Sequence, residues 1–458
     1  MKYKITVLAL VLITSVKALI IHVPANYATI QAAILNSSNG DTVEVAPGTY
    51  FENINFRGRK ILLTSMFYLS NDTSYISSTI INGSTPSNPD TASCVIFNNG
   101  EDSTAILQGF TLTGGMGTKW NDIHGAGVYR EGGGIIIELC APTVRYNIIR
   151  NNIATDLTGV TSAGGGGIRI GDGNPHIDNN MIIFNQGKYG PGIVLNYTGC
   201  RIRNNIIASN SGATSYYGGG GIWASSNLNT TPKLIENNTI VANSSYAGGS
   251  GGIAAWSAAY MTIRNNIIWG NTPATAQIKA VTCTVTATYN DVGGGYAGTG
   301  NINANPLLDT LCYTLNLTSP CIDSGNASVN YNDLISSPGV ALFPSMGTQR
   351  NDMGAFGGPY AFLMHCAKTT VSVNDAPRKN ISFAVYPNPA SNEIKIDFSL
   401  QKKAKIEMYT LVGEKVLERT IISSEKVDIS ALPSGSYLIK VLTETGYALS
   451  KKIEIIRQ

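Results

Sequence analysis

A strand-like segment recurs between residues 135 and 256, each time after a glycine-rich step. Its second residue is in turn Ile136, Arg169, Val194, Trp223 and Ala254, and its fourth is Glu138, Gly171, Asn196, Ser225 and Trp256. Alternate residues of an extended strand leave opposite faces, so these residues share one face if the first and third positions fill a core. The loops entering the same segments carry Tyr189, Tyr216, Tyr217 and Tyr246. Aromatic rings beside amide and guanidinium groups on a flat surface suit the stacking of sugar rings. Arg169, Asn196, Trp223, Trp256, Tyr189, Tyr216, Tyr217 and Tyr246 are therefore the candidate carbohydrate-binding residues. The competing reading is that the tyrosines pack beneath loops, with Trp223 and Trp256 covered by them.

Acid–base or metal chemistry has fewer candidates. From residue 120 to 300 the acidic residues are Asp122, Glu131, Glu138, Asp156, Asp172, Asp178, Glu236 and Asp291. Asp172 and Asp178 bracket Gly173-Asn174-Pro175-His176-Ile177 and are the candidates for a metal or acid–base role. Calcium requires several converging oxygens, and elimination beside a uronate requires a base together with a cation to hold the enolate. Calcium is expected only if the chain is such a lyase; no other cofactor is implied, and no catalytic residue is identified. Glycine runs such as Gly164–Gly167 and Gly218–Gly221 lack the Lys-Ser/Thr of a phosphate loop. Of seven cysteines, Cys312 and Cys321 lie close together in a polar turn region and are the candidate disulfide. The others lack Cys-x-x-Cys spacing, which points to buried thiols rather than zinc.

The elements that must position these groups are legible as columns. Val144, Ile177, Ile202, Ile235 and Ile263 begin five units of unequal length. After each comes an asparagine at Asn147, Asn180, Asn205, Asn238 and Asn266, then isoleucine at Ile149, Ile182, Ile207, Ile240 and Ile268. A second asparagine follows at Asn152, Asn185, Asn210, Asn243 and Asn271. Preceding each unit, the glycine-rich step enters Ile135, Ile168, Ile193, Ile222 or Ile253. Loops of varying length between fixed columns predict coils of short parallel strands stacked about 4.8 Å apart, a solenoid with isoleucine inside. Asparagine suits the inward turn because its amide donates to one coil and accepts from another while tolerating a left-handed backbone. Beside the first column, Arg145, Asp178, Arg203, Glu236 and Arg264 alternate in sign, predicting an exposed ion-pair ladder. Apolar spacing over Tyr27–Leu35 predicts a short helix closing the open end.

Composition divides the chain. Residues 1–380 hold 41 charged residues and 46 glycines, whereas 381–458 hold 20 and 3, so two structural units are expected. The start, Met1-Lys2-Tyr3-Lys4 followed by an apolar run and Val16-Lys17-Ala18, reads as a signal peptide of residues 1–18, too short for a membrane anchor. No later segment is apolar enough to span a bilayer. A net charge of +3 without clustered Lys/Arg argues against nucleic acid as a partner.

Residues 22–360 resemble the right-handed parallel β-helix repeat proteins that share the pectin-lyase fold. The likeness rests on Ile30-Gln31-Ala32-Ala33, Asp41-Thr42-Val43, Pro47-Gly48-Thr49-Tyr50, Gly109-Phe110-Thr111-Leu112, the Asn-Asn-x-Ile repeat, Ser319-Pro320-Cys321-Ile322-Asp323-Ser324-Gly325 and Asp352-Met353-Gly354-Ala355-Phe356-Gly357. The tail resembles the type IX secretion sorting domain of Bacteroidetes through Tyr386-Pro387-Asn388-Pro389-Ala390, Ile394–Phe398, Leu411–Val416, Leu432–Val441 and Lys451-Lys452-Ile453. Period-two alternation there predicts a small β-sandwich. The expected chain is all-β: a signal peptide (1–18), a right-handed parallel β-helix solenoid (19–360), a linker (361–380) and a C-terminal sorting β-sandwich (381–458). The resemblance implies export through the type IX secretion machinery to the outer-membrane cell surface or the medium. The expected partner is polysaccharide; alternatives are a polysaccharide lyase acting on uronate glycans, with glycoside hydrolysis the other enzymatic possibility, and an adhesin or structural surface protein.

Overall fold

The computed structural model describes residues 18–363 and 383–457, apart from 157, 213, 215–217, 227–230, 310, 399–402, 411–414, 423 and 444–447. The expected signal peptide, except Ala18, and most of the expected linker lie outside these residues. Two compact units are present, 1–368 and 369–458.

In the first unit a complete coil contributes one short strand to each of three parallel sheets, of ten, nine and eight strands. One coil shows the pattern: Ile168–Gly171 in the eight-stranded sheet, His176–Asp178 in the ten-stranded and Met181–Ile183 in the nine-stranded. The expected columns are the observed registers. Ile135 pairs with Ile168, Ile168 with Ile193, Ile193 with Ile222 and Ile222 with Ile253; Ile177, Ile202, Ile235 and Ile263 follow one another likewise. These side chains fill a single interior cluster, each contributing about 1.5–3 kcal/mol by burial. At the glycine-rich step, a Cβ on Gly167 would stand 2.5 Å from the Gly192 carbonyl of the next coil, so only glycine permits that stacking. The helix Ile30–Asn36, capped by Thr29, packs Ile30, Ala33 and Ile34 into the same core.

Both asparagine columns form ladders. Asn205 Oδ1 accepts from the Asn180 backbone N–H (2.8 Å) and Nδ2 (3.0 Å). Its own Nδ2 donates to the carbonyls of Ile177 (2.7 Å) and Arg203 (3.0 Å) and to Asn238 Oδ1 (3.0 Å). The left-handed residue at this corner is the one before the ladder asparagine: Tyr146, Asn179, Asn204, Asn237 and Asn265 have φ from 49° to 57°. The sequence reading placed that conformation one residue late, because the turn must be made before the amide can point inward.

The outer faces of the three sheets have different fates. Against the nine-stranded face, Met353, Ala355 and Phe356 from the end of the unit pack on Met181, Ile183, Ile206 and Ala208. Asn204 Nδ2 donates to the carbonyls of Ala355 (2.9 Å) and Gly357 (2.7 Å), fastening this returning segment. On the ten-stranded sheet the charge ladder exists, with Arg203 3.6 Å from Asp178 and Arg264 2.5 Å from Glu236. It is not the exposed ladder expected: the Arg203 and Asp178 side chains are only 10% and 9% exposed. Tyr360 covers Arg203 at 3.3 Å and Tyr331 covers Arg264 at 4.6 Å, contacts made by residues far along the chain, near the end of the unit.

Two buried carboxyls tie the returning segment. Asp333 accepts from the backbone N–H of Gly358 and Asp352, and Asp352 from those of Asp323 and Met346 (both 2.7 Å). Burial, followed by repulsion from Asp352, pushes Asp333 up to about 8; burial, and then Asp323, pushes Asp352 up to about 7. The native state therefore holds these protons more tightly than the unfolded chain, whose aspartates titrate near pH 4. Stability should be fullest below that value, fall as pH rises towards about 8 and level off above it. Urea midpoints measured across this range should decline, and Asp333→Asn should flatten the decline; an unchanged slope would remove Asp333 from the explanation.

The second unit has a three-stranded and a four-stranded antiparallel sheet. Ile394 and Ile396 from one meet Ile406, Met408, Ile439 and Val441 from the other in a separate core, the expected small sandwich.

Candidate functional site

The eight-stranded sheet keeps a cleft on its outer face. One wall is a hairpin inserted between two coils, Gly117–Asn121 with Val128–Glu131, paired so that Thr118 faces Glu131 and Trp120 faces Tyr129. Its tip turns because Asp122 Oδ1 accepts the His124 backbone N–H (2.6 Å) and Gly125 and Gly127 take φ of 83° and 117°. The cleft has a volume of about 580 Å³, within the range of ligand sites. From the hairpin, Trp120, Asp122, His124, Tyr129 and Glu131 line it; from the coils come Tyr189, Asn196, Tyr197, Trp223, Ser225, Ser226, Trp256 and Ser257.

Beneath the rings lies a buried charge network. Arg169 is fully buried, with Nε 3.2 Å from Glu131 Oε2, Nη1 3.2 Å from the Ile137 carbonyl, and a further ion pair to Glu138. The Trp120 ring lies over its guanidinium at 3.8 Å, a cation–π contact. Space for that guanidinium exists because the fourth position of this strand is Gly171, where a Cβ would come within 2.2 Å of Arg169 Nη2. Glu131 also accepts from Trp120 Nε1 (2.8 Å) and the Tyr189 hydroxyl (2.5 Å). Burial raises the Glu131 carboxyl and lowers Arg169, while burial and the adjacent Glu131 hold the Tyr189 hydroxyl well above its usual range. Arg169 supports the hairpin and the floor rather than presenting a charge to a ligand. At the mouth, His124 stacks on Tyr197 (3.6 Å, 17°) and its Nε2 lies 2.8 Å from Asp172 Oδ1, pinning the hairpin tip to the coils. Tyr189 meets Trp223 edge-on at 5.2 Å.

The structure brings Asn196, Trp223, Trp256 and Tyr189 together in the cleft and sets Arg169 below it. Tyr246 is half-buried in a turn outside the lining; Tyr216 and Tyr217 lie outside the described residues. Asp172 and Asp178 are not brought into one site. Asp172 faces His124, while Asp178, on the neighbouring sheet, pairs with Arg201 at 2.7 Å and with Arg203. Among the described residues no three His, Cys, Asp or Glu side chains converge to hold a metal ion. His176 sits beside Arg201 on the ten-stranded sheet, its pKa lowered by burial first and Arg201 second.

The expected Cys312–Cys321 disulfide is not formed: Cys321 is a free, buried thiol 3.2 Å from Asp291 Oδ2. Proximity in sequence misled here, because Cys321 points into the packing against the nine-stranded sheet. Cys94, Cys140 and Cys200 are likewise free and buried, and desolvation pushes their thiols up to about 12, 12 and 11.

The sequence reading missed the hairpin residues Trp120, Asp122, His124 and Tyr129 as lining. The signal was present in the alternation of Thr118-Lys119-Trp120-Asn121 and Val128-Tyr129-Arg130-Glu131 around Gly125.

Residues 384–456 match the family described as the secretion system C-terminal sorting domain. No curated protein and no solved structure matches the chain. The sorting domain marks the protein as secreted or attached to the cell surface.

Proposed function

We propose that this exported β-helix binds glycan in the cleft of its eight-stranded sheet. The observation that carries the reading is one cleft in which Trp120, Tyr129, Tyr197, Trp223 and Trp256 alternate with Asn196, Ser225, Ser226 and Asp122. Sugars present apolar C–H faces edged by hydroxyls. Aromatic rings cover the former, while amide, hydroxyl and carboxylate groups satisfy the latter. Export to the surface or the medium is compatible with an extracellular polysaccharide ligand.

Calorimetric titration with a panel of oligosaccharides tests this. Trp223→Ala combined with Trp256→Ala should weaken binding by about thirtyfold or more, the equivalent of about 2 kcal/mol. Tyr260→Ala, exposed on the ten-stranded sheet, should leave it unchanged. Equal affinity of the double variant and the parent would reject the cleft as the glycan site.

A further inference from the structure

We infer that the cleft selects uncharged or amine-bearing sugars and rejects uronates, an inference that rests on the glycan reading above. Its charged lining consists of Asp122, Glu131 and His124, and among the described residues no lysine or arginine lines it. Behind His124 stands Asp172, and beneath the floor Glu138. Arg169, the guanidinium nearest the floor, is sealed under Trp120 and already shared between Glu131 and Glu138.

Two ammonium groups lie near the far end, and neither reaches into the cleft. Lys279 sits 5.3 Å from the Trp256 ring centre with Nζ donated to the Gly248 carbonyl at 2.6 Å. Lys233 is fully buried and donates to the Ser226 carbonyl from within the coil.

A uronate polymer brings one carboxylate per acidic sugar, and its recognition calls for guanidinium forks or ammonium groups aimed at each. In this cleft such a carboxylate meets Asp122 and the Asp172–His124 pair, and like charges at an interface suppress the wrong partner. A neutral sugar loses nothing there, and a glucosamine ammonium gains a carboxylate neighbour. The sites of interest are then neutral or amino-sugar chains, not pectin- or alginate-like polymers.

Titration of the full exported protein with neutral gluco-, manno- and xylo-oligosaccharides, glucosamine oligomers and oligogalacturonate separates the possibilities. The expected result is that at least one neutral or glucosamine ligand binds about tenfold or more tightly than oligogalacturonate, with or without added calcium. Ser226→Lys, which places a cation in the lining, should narrow that gap. Oligogalacturonate bound as tightly as any other ligand, and lost in the Trp223/Trp256 double variant, would overturn the charge inference while leaving the glycan reading intact. Failure of every class to bind would overturn the glycan reading itself.

Discussion

Asn205→Ala is expected to cost on the order of 4 kcal/mol and to open the solenoid at its middle coils. The side chain is fully buried, accepts two hydrogen bonds from Asn180 and donates to Ile177, Arg203 and Asn238. Alanine would strand the Asn180 backbone N–H and take one partner from Asn180 Nδ2, from the Ile177 and Arg203 carbonyls and from Asn238 Oδ1, in an interior where each unsatisfied group costs about 1–3 kcal/mol. Partial hydration of the gap keeps the total below the sum of those costs. Because coils contact only their neighbours, the loss should appear first as faster amide exchange over residues 177–240, ahead of any global transition. The same substitution at the exposed Asn99 should cost less than about 0.5 kcal/mol. A loss under about 1 kcal/mol at Asn205 would mean that the ladder follows from the fold without holding it together.

Arg169→Ala should be nearly as damaging, at about 3–5 kcal/mol, since it leaves Glu131 and Glu138 buried without their cation. It also removes the guanidinium under Trp120, so the hairpin wall loses its seat and tryptophan emission should shift to the red as Trp120 meets water. Combining Arg169→Met with Glu131→Gln and Glu138→Gln should recover a large part of the loss, because removing both signs together leaves no uncompensated charge. If the single variant melts like the parent, the network is not the support of the cleft.

The columns were readable because parallel in-register coils place like residues above one another, so Ile135, Ile168 and Ile193, or Asn180 and Asn205, repeat at positions that geometry makes equivalent. Outward-facing Asn196, Trp223 and Trp256 followed from the same alternation. Whatever depended on contacts distant in sequence was hidden. That Arg169 is buried depends on Gly171 in its own strand and Trp120 in an insertion, and no repeat links them. The covering of Arg203 and Arg264 by Tyr360 and Tyr331, and the free thiol of Cys321, arise where the end of the unit folds back over earlier coils. The hairpin escaped notice because it breaks the repeat locally, and it is this break that turns a flat sheet face into a cleft.

The most direct test is a density map of the protein soaked with a neutral oligosaccharide that it binds. Sugar rings should lie against Trp223 and the Trp120–Tyr129 wall, with hydroxyls within reach of Asn196 and Asp122. Rings seated on the ten-stranded sheet, or an empty cleft at saturating ligand, would contradict the account.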